Sequence, residues 1–341
     1  MRHARGYALT GRSLKDACGD AGRRYDRRPV PEISVVIPTL RRYDQLSRVL
    51  GHLERQEIDP NAFEVVVVSD AKEGNHAAVA SAVGNRRYRV RRLAASVPGA
   101  SSARNRGWRA AEGFLILFLD NDVLPIPQLL REHLAWHRRH PEQEAGVLGH
   151  VEWARELRVT PFMRWLDQGF QFGYGSIEGQ EARWWHLYTA NVSLKRALLE
   201  RANGFDEDAF PFGYEDLDLG RRMEPLGFRL LYNRAARAEH LHACTLDEWR
   251  GTVARIAGAE YRFVRRYPDF KPFFLSQLTA ESPQSALQRV TARLAGVVPR
   301  EVPWLGPRVW ASARARYRRE LAPHFLEAWD RAFAADRAGP G

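Results

Sequence analysis

Two aspartates one residue apart, Asp120-Asn121-Asp122, stand directly after the wholly apolar run from Phe114 to Leu119. Such a run reads as a buried strand that delivers carboxylates to a sheet edge. Hard cations take oxygen ligands, and Mg²⁺ sites typically join one or two carboxylates to substrate phosphates. The pattern therefore suits a metal-bound diphosphate, although Asp and Asn also serve the backbone of ordinary turns. A second cluster, Tyr214-Glu215-Asp216-Leu217-Asp218, opens a helical stretch that stops near Gly227. Acidic residues complement the dipole of a first helical turn, yet a fixed Asp near a hydroxyl proton can also serve as a general base. A third, Glu239-His240-Leu241-His242, sets two imidazoles on one face of an extended strand. Neutral imidazole is a common metal ligand; two hydrogen-bonded histidines at a strand end are the plainer alternative.

The surrounding pattern alternates strands with helices. Ile33–Ile37 forms a β-branched strand that Pro38 ends, and Leu46, Val49, Leu50 and Leu53 place an amphipathic helix over 43–56. Phe63 to Asp70 is a second buried strand with a terminal carboxylate, followed by a short helix over 75–84 and a strand near 88–93. The Ala-rich stretch 101–112 is a helix with Ser101 or Ser102 as N-cap, leading into the strand before Asp120. Past Pro125 come a helix to about 139, a strand over 145–152, two short strands within 228–242 and a helix over 246–266. This alternation predicts a mostly parallel sheet covered on both faces, with ligands beyond the carboxyl ends of its strands. Thr39, Asp70 and Asp120 all fall at such ends. The aromatic, Gly-containing stretch 161–188, with Trp165, Phe170, Phe172, Tyr174, Trp184, Trp185 and Tyr188, offers either a sugar-stacking or acceptor-binding surface or, as is expected first, the packing of a loop-rich core.

Composition bounds the rest. A chain of 341 residues, 45% apolar and 11% aromatic, can bury a substantial core. Two cysteines, Cys18 and Cys244, exclude a disulfide framework and a multi-cysteine zinc site. The formal charge of +11 rests almost wholly on Arg, since Lys stands only at 15, 72, 195 and 271. It favours polyanionic partners, but the arginines are spread along the chain, as solvated faces require. Without an apolar leader or membrane-length segment, the reading is a cytoplasmic protein. Residues 1–30, rich in Arg and Gly, are expected to be a poorly ordered basic segment.

Together the clusters resemble the family 2 glycosyltransferases, inverting nucleotide-sugar enzymes. The resemblance runs from Ile33 to Phe270 through Val35-Val36-Ile37-Pro38-Thr39, Asp70, Gly99 to Gly107, Asp120-Asn121-Asp122, Asn191 to Ser193, Gly204-Phe205-Asp206, Glu215-Asp216 and His240. It implies an α/β GT-A (Rossmann-like) fold with a mostly parallel central sheet over residues 31–270 and a C-terminal helical extension over 271–341. It further implies that Thr39 and Asp70 hold the nucleotide base, UDP-sugar being favoured, with Arg41, Arg104, Asn105, Asp120, Asn121 and Asn191 forming the rest of the donor wall. Asp122 would bind Mn²⁺ or Mg²⁺, with His240, or alternatively His242, as second ligand. Asp216 would be the base, and Glu215 would hold acceptor or donor hydroxyls. Without a Gln-x-x-Arg-Trp signature or membrane helices, transfer of one sugar is expected, to a carbohydrate, lipid-linked or small-molecule acceptor.

Two other readings compete. A metal-dependent nucleotidyltransferase would show a Gly-rich phosphate loop after the first strand, where this chain reads Pro38-Thr39-Leu40-Arg41-Arg42. A non-catalytic basic protein that binds nucleic acid or membranes uses the charge but leaves the carboxylates without a purpose, and a nucleic-acid partner is not expected. The basic, partly amphipathic region 286–335, with Trp304, Trp310 and Phe325, suits either packing on the catalytic domain or peripheral contact with the inner membrane face.

Overall fold

The computed structural model describes residues 29–280 and 291–338. The expectation of disorder over 1–30 falls almost wholly outside them. The chain runs β1 (Ile33–Thr39), α1 (Tyr43–Leu53), β2 (Phe63–Ser69), α2 (His76–Val83), β3 (Arg89–Ala94), α3 (Ala100–Ala110), β4 (Leu115–Leu119), β5 (Val123–Pro125), α4 (Leu129–Arg139) and β6 (Ala145–Trp153). It continues with α5 (Pro161–Leu166), β7 (Glu181–Ala182), β8 (Asn191–Lys195), α6 (Arg196–Arg201), α7 (Glu215–Met223), β9 (Arg229–His240), α8 (Leu246–Arg266), α9 (Phe273–Thr279) and α10 (Leu305–Ala338). The strands form one sheet in the order β3-β2-β1-β4-β8-β6-β9-β5, with β7 also on β9. β1 to β4, β6 and β9 run one way, and β5, β7 and β8 run the other.

Three local expectations are corrected. Pro38 does not end β1, which continues to Thr39 opposite Ser69. α3 begins at Ala100 with Gly99 as its cap, and Ser101 lies inside the helix, its hydroxyl donating to Phe210 O. The two short strands expected within 228–242 are one strand, β9. It pairs with β6 through a register shift that matches Asn233 to Gly149 and Arg237 to His150, so the residues between bulge out.

Three apolar clusters hold the architecture. One packs α1, with Leu46, Val49, Leu50 and Leu53 buried as expected, against one face of the sheet. A second fills the other face around Trp108, Phe118 and Phe205. In the third, Trp165 and Phe170 join Phe210, Val253 and Phe263 to Phe274, Val309, Leu321 and Phe325. α9 and α10 therefore share a core with α8. No described helix is long and apolar enough to cross a membrane.

Candidate functional site

Strand register assembles the site. Thr39 and Ser69 are partners at the ends of β1 and β2, so Asp70 follows beside Thr39 and its N–H donates to Thr39 O at 2.9 Å. β4 delivers Asp120, Asn121 and Asp122 next to that pair, and Asn121 Nδ2 donates to Thr39 Oγ1 at 2.8 Å. β5 then pairs antiparallel with the end of β9, Val123 opposite His240, and Leu241 N–H donates to Asp122 O at 2.8 Å. The late histidine thus reaches the early aspartate through backbone pairing: His240 Nε2 stands 3.8 Å from Asp122 Oδ2. His242 Nε2 instead stands 3.9 Å from Glu248 Oε2 on α8.

These residues line one cleft of about 750 Å³. Thr39, Asp70, Arg104, Asp120, Asn121, Asp122, Glu215, His240 and His242 all reach it. Arg104, buried at 5% exposure, crosses it and joins Glu215 Oε1 at 2.8 Å to Asp120 Oδ1 at 3.1 Å. Burial works against the Arg104 charge, but Asp120, Glu215 and Asp216 outweigh it and raise its pKa. The Asp70 carboxylate accepts from Lys72 N–H and Gly99 N–H, both at 2.7 Å, and so ties two loops to the cleft floor.

Gly99 makes this approach possible. It has φ +125°, and a Cβ there would stand 2.5 Å from Pro211 O. The segment Phe210-Pro211 is thereby clamped onto the start of α3. A Gly99→Ala variant combines a strained backbone with this clash and is expected to lose about 3 kcal/mol of stability, measurable by urea unfolding; a loss near zero would mean that the clamp is not tight.

Across the cleft, Tyr214 caps α7 in the left-handed region at φ 64°, an uncommon conformation for a large side chain. Its hydroxyl donates to the buried Glu260 of α8, whose carboxylate also accepts from Phe274 and Leu275 N–H at 2.8 Å. This anchor holds the turn that projects Glu215 and Asp216. Helix-dipole compensation alone would not require it. Glu215 lines the first cleft and also a second cavity of about 930 Å³, into which Asp216 faces. Trp184, Trp185, Tyr188, Phe212 and Phe273 supply aromatic walls there. Burial and the Glu215 charge push the Asp216 carboxyl up, to about 7, against the pull of Arg104.

Three expected donor-wall residues do not reach the cleft. Arg41, at φ 54°, turns outward and uses its N–H on Glu73. Its neighbour Arg42 enters instead and pairs with Asp122 Oδ2. Asn105 is fully buried, with Oδ1 accepting from Trp108 Nε1 at 2.8 Å and Phe205 N–H at 3.0 Å and Nδ2 donating to Phe205 O at 2.8 Å. It clamps the Gly204-Phe205 turn behind α3. Asn191 is equally buried; its Oδ1 meets His133 Nε2 at 3.0 Å and its Nδ2 donates to Ala236 O at 2.9 Å. That network bridges β8, α4 and the β9 bulge, and burial holds His133 neutral by lowering its pKa to about 4. Sequence reading missed Arg42, Lys72, Glu248, Trp249 and Arg255 on the cleft wall. The Arg41-Arg42 pair was the available signal, one residue out of phase.

The site can hold an anionic ligand against Arg42, Lys72 and Arg255, while Asp122 and His240 offer one edge of a cation site. Among the described residues no cluster of three or more His, Cys, Asp or Glu forms a complete metal cage.

The sequence pattern of the family described as "Glycosyltransferase like family 2" matches residues 31–258. A validoxylamine A glucosyltransferase of Streptomyces hygroscopicus subsp. limoneus is 31% identical over 276 residues, which cover 71% of this chain and 58% of that protein. The O-antigen biosynthesis protein RfbC of Myxococcus xanthus is 28% identical over an alignment covering 90% of this chain and 25% of that protein. The chain spans about three fifths of the length of the validoxylamine relatives it matches. Among solved structures, the mannosyltransferase PcManGT from Pyrobaculum calidifontis, in complex with GDP-Man and Mn²⁺, superposes with a TM-score of 0.57 at 17% identity, covering 88% of each chain. The fold is the expected GT-A arrangement, with a C-terminal helix added.

Proposed function

The chain belongs to glycosyltransferase family 2, and from that premise we propose that it moves one sugar from a nucleotide-diphosphate donor to an acceptor hydroxyl with inversion at the anomeric carbon. A UDP-sugar is the favoured donor, residues 31–270 are the transfer unit, and the helices beyond 271 are its extension. The observation that carries this reading is the pair of cavities meeting at Glu215. One is edged by cations and strand-end carboxylates, as a nucleotide diphosphate needs. The other is aromatic and faces Asp216, as a carbohydrate, lipid-linked or small-molecule acceptor needs.

A divalent ion fits the first cleft. Asp122 Oδ2 and His240 Nε2 face each other at 3.8 Å, and the Arg42 guanidinium already sits on Asp122 as a stand-in cation. Asp122 and His240 would hold Mn²⁺ or Mg²⁺, with diphosphate oxygens completing the shell in the usual way. When bound, the ion supplies Lewis-acid stabilisation of the charge that develops on the departing diphosphate.

The chain's own residues do the rest. Asp216 takes the proton from the acceptor hydroxyl, and its raised pKa suits a base that works near neutral pH. Arg104 fixes the Glu215 carboxylate between the two substrates, where it orients hydroxyls. Thr39, Asp70 and Asn121 form the base-side floor, and Lys72 and Arg255 offset phosphate charge at the rim. One base without a covalent nucleophile means direct displacement, so a product of retained anomeric configuration would overturn the stereochemistry.

A thermal-shift series with UDP, GDP and tripolyphosphate, each with and without Mn²⁺, tests the reading. A nucleotide held at 100 times its Kd stabilises the fold by about 2.7 kcal/mol, and that gain is expected only with metal. Equal, metal-independent stabilisation by tripolyphosphate would mark a general polyanion surface instead.

A further inference from the structure

The three large anchors of the C-terminal region divide sharply. Phe325 is buried in the third core cluster at 0% exposure and Trp310 is buried at 7%, whereas Trp304 stands 82% exposed. It does so at φ 64°, a backbone region that large side chains rarely adopt. Around it the chain folds into a tight knot. Val297 and Val298 N–H donate to Leu294 O at 3.0 and 2.8 Å, Gly306 N–H donates to Val302 O at 2.9 Å, and Trp310 Nε1 donates to Val298 O at 3.3 Å. A Cβ on Gly306 would stand 2.5 Å from Pro299 O, so the two limbs of the knot are in contact.

The knot has two faces. Ala292, Ala295 and Val309 turn inward to the core. Leu294, Val297, Trp304 and Leu305 remain outside, Val297 at 77% exposure. Arg293, Arg300 and Arg308 are exposed beside them, and no ion pair to any of the three is found among the described residues. Glu301 is the single acidic residue between 293 and 308.

We propose that the knot spanning residues 293–308 is a docking tip for an anionic phospholipid surface. Trp belongs at the headgroup level, where its apolar body and N–H are both served. Arginines beside it keep their charge in the headgroup layer while their stems cover apolar surface. A second copy of this chain would bring three like charges face to face. An anionic bilayer neutralises all three and covers the four apolar side chains together. The tip is rigidly joined to the catalytic body, because α10 shares its core with α8 and α9.

Co-sedimentation of the full chain with phosphatidylglycerol–phosphatidylcholine vesicles, against pure phosphatidylcholine, tests this. The wild type is expected to bind the anionic vesicles, and to release as salt rises. Trp304→Ser and Val297→Ser, each placed on an exposed side chain, are expected to weaken binding at least tenfold together. Arg293→Gln, Arg300→Gln and Arg308→Gln are each expected to cost roughly fivefold, from the energy of one arginine near an anionic surface. Nucleotide-induced thermal shifts, measured in the same preparations, are expected to stay unchanged, so loss of docking is separable from failure of the sugar-transfer reading. Equal partitioning of wild type and variants would overturn the proposal. So would a concentration-dependent dimer that Trp304→Ser abolishes, since a second copy would then be the occupant.

Discussion

Asp216→Asn is expected to lower sugar transfer about 10²–10⁴-fold, the usual contribution of a positioned general base, with metal-dependent nucleotide binding unchanged. The side chain keeps its shape and faces the second cavity, not the cleft that Asp122 and His240 edge. Transfer and donor hydrolysis must both be followed, because residual hydrolysis by water does not report on the acceptor step. The pH arm sharpens the test. With a carboxyl pushed up to about 7 by burial and Glu215, wild-type transfer rises with pH and levels off above about 7. The Asn variant loses that rise. Stability moves the opposite way. A carboxyl whose folded-state pKa lies above its unfolded value favours the fold fully below the unfolded pKa, and that contribution is lost as pH rises through the folded one. Asn mimics the neutral acid, so the variant's Tm is expected to exceed the wild type's by an amount that grows from about pH 4 to pH 7 and then holds. A variant that keeps full transfer, or one no more stable than the wild type at pH 8, would remove Asp216 from this role.

How much of this was legible in the sequence depends on the interaction that fixes each residue. Strand-end positions were readable, because short β-branched or apolar runs bounded by turn residues read as strands that end at a sheet edge. That placed Thr39, Asp70 and Asp120 to Asp122 together. The amphipathic spacing of α1 gave its start and buried face, though the helix ends at Leu53 and not at 56, and the helix expected over 246–266 is α8. Polar residues inside a motif were less readable, since one side chain can serve a ligand or the protein itself. Asn105 and Asn191 both turned to buried backbone groups, Phe205 O and Ala236 O. Their neighbours decide this: Gly204 leaves no room for anything beside Asn105, and the β9 bulge leaves Ala236 O to Asn191. Arg41 and Arg42 differ by a single backbone angle, the positive φ of Arg41, which no residue type at that position announces. The aromatic stretch 161–188 split for a similar reason. Trp165 and Phe170 are core, while Trp185 stays 42% exposed at the second cavity. Composition sets how many aromatics must be buried, but not which.

The Asp122–Arg42 pair yields two expected effects of opposite sign. Asp122→Asn removes the anionic oxygen that, on the proposed reading, would hold a divalent ion against the donor diphosphate. Transfer is expected to fall about 10³-fold or more, since a Lewis-acid contact is worth several kcal/mol, and the Mn²⁺-dependent part of the nucleotide thermal shift is expected to vanish. The fold should survive, because the strand contact at this residue is made by the backbone carbonyl of Asp122 to Leu241, and the released Arg42 is already 37% exposed. Arg42→Gln acts on the other partner. Its guanidinium occupies the same Asp122 oxygen that faces His240, so a metal ion held by that pair would have to displace it. Without that competitor, the nucleotide-free chain is expected to bind Mn²⁺ about three- to tenfold more tightly, the modest size expected of a partly exposed ion pair. Titration of free Mn²⁺ by electron paramagnetic resonance reads this directly, without turnover. Turnover itself is expected to fall in the same variant, because the displaced guanidinium is then missing from the wall of the phosphate cleft. Tighter metal binding joined to slower transfer would identify Arg42 as the resident cation that gives way to the donor complex. Unchanged metal affinity would mean that the guanidinium does not contest Asp122, and the carboxylate would then have to be read as its salt-bridge partner alone.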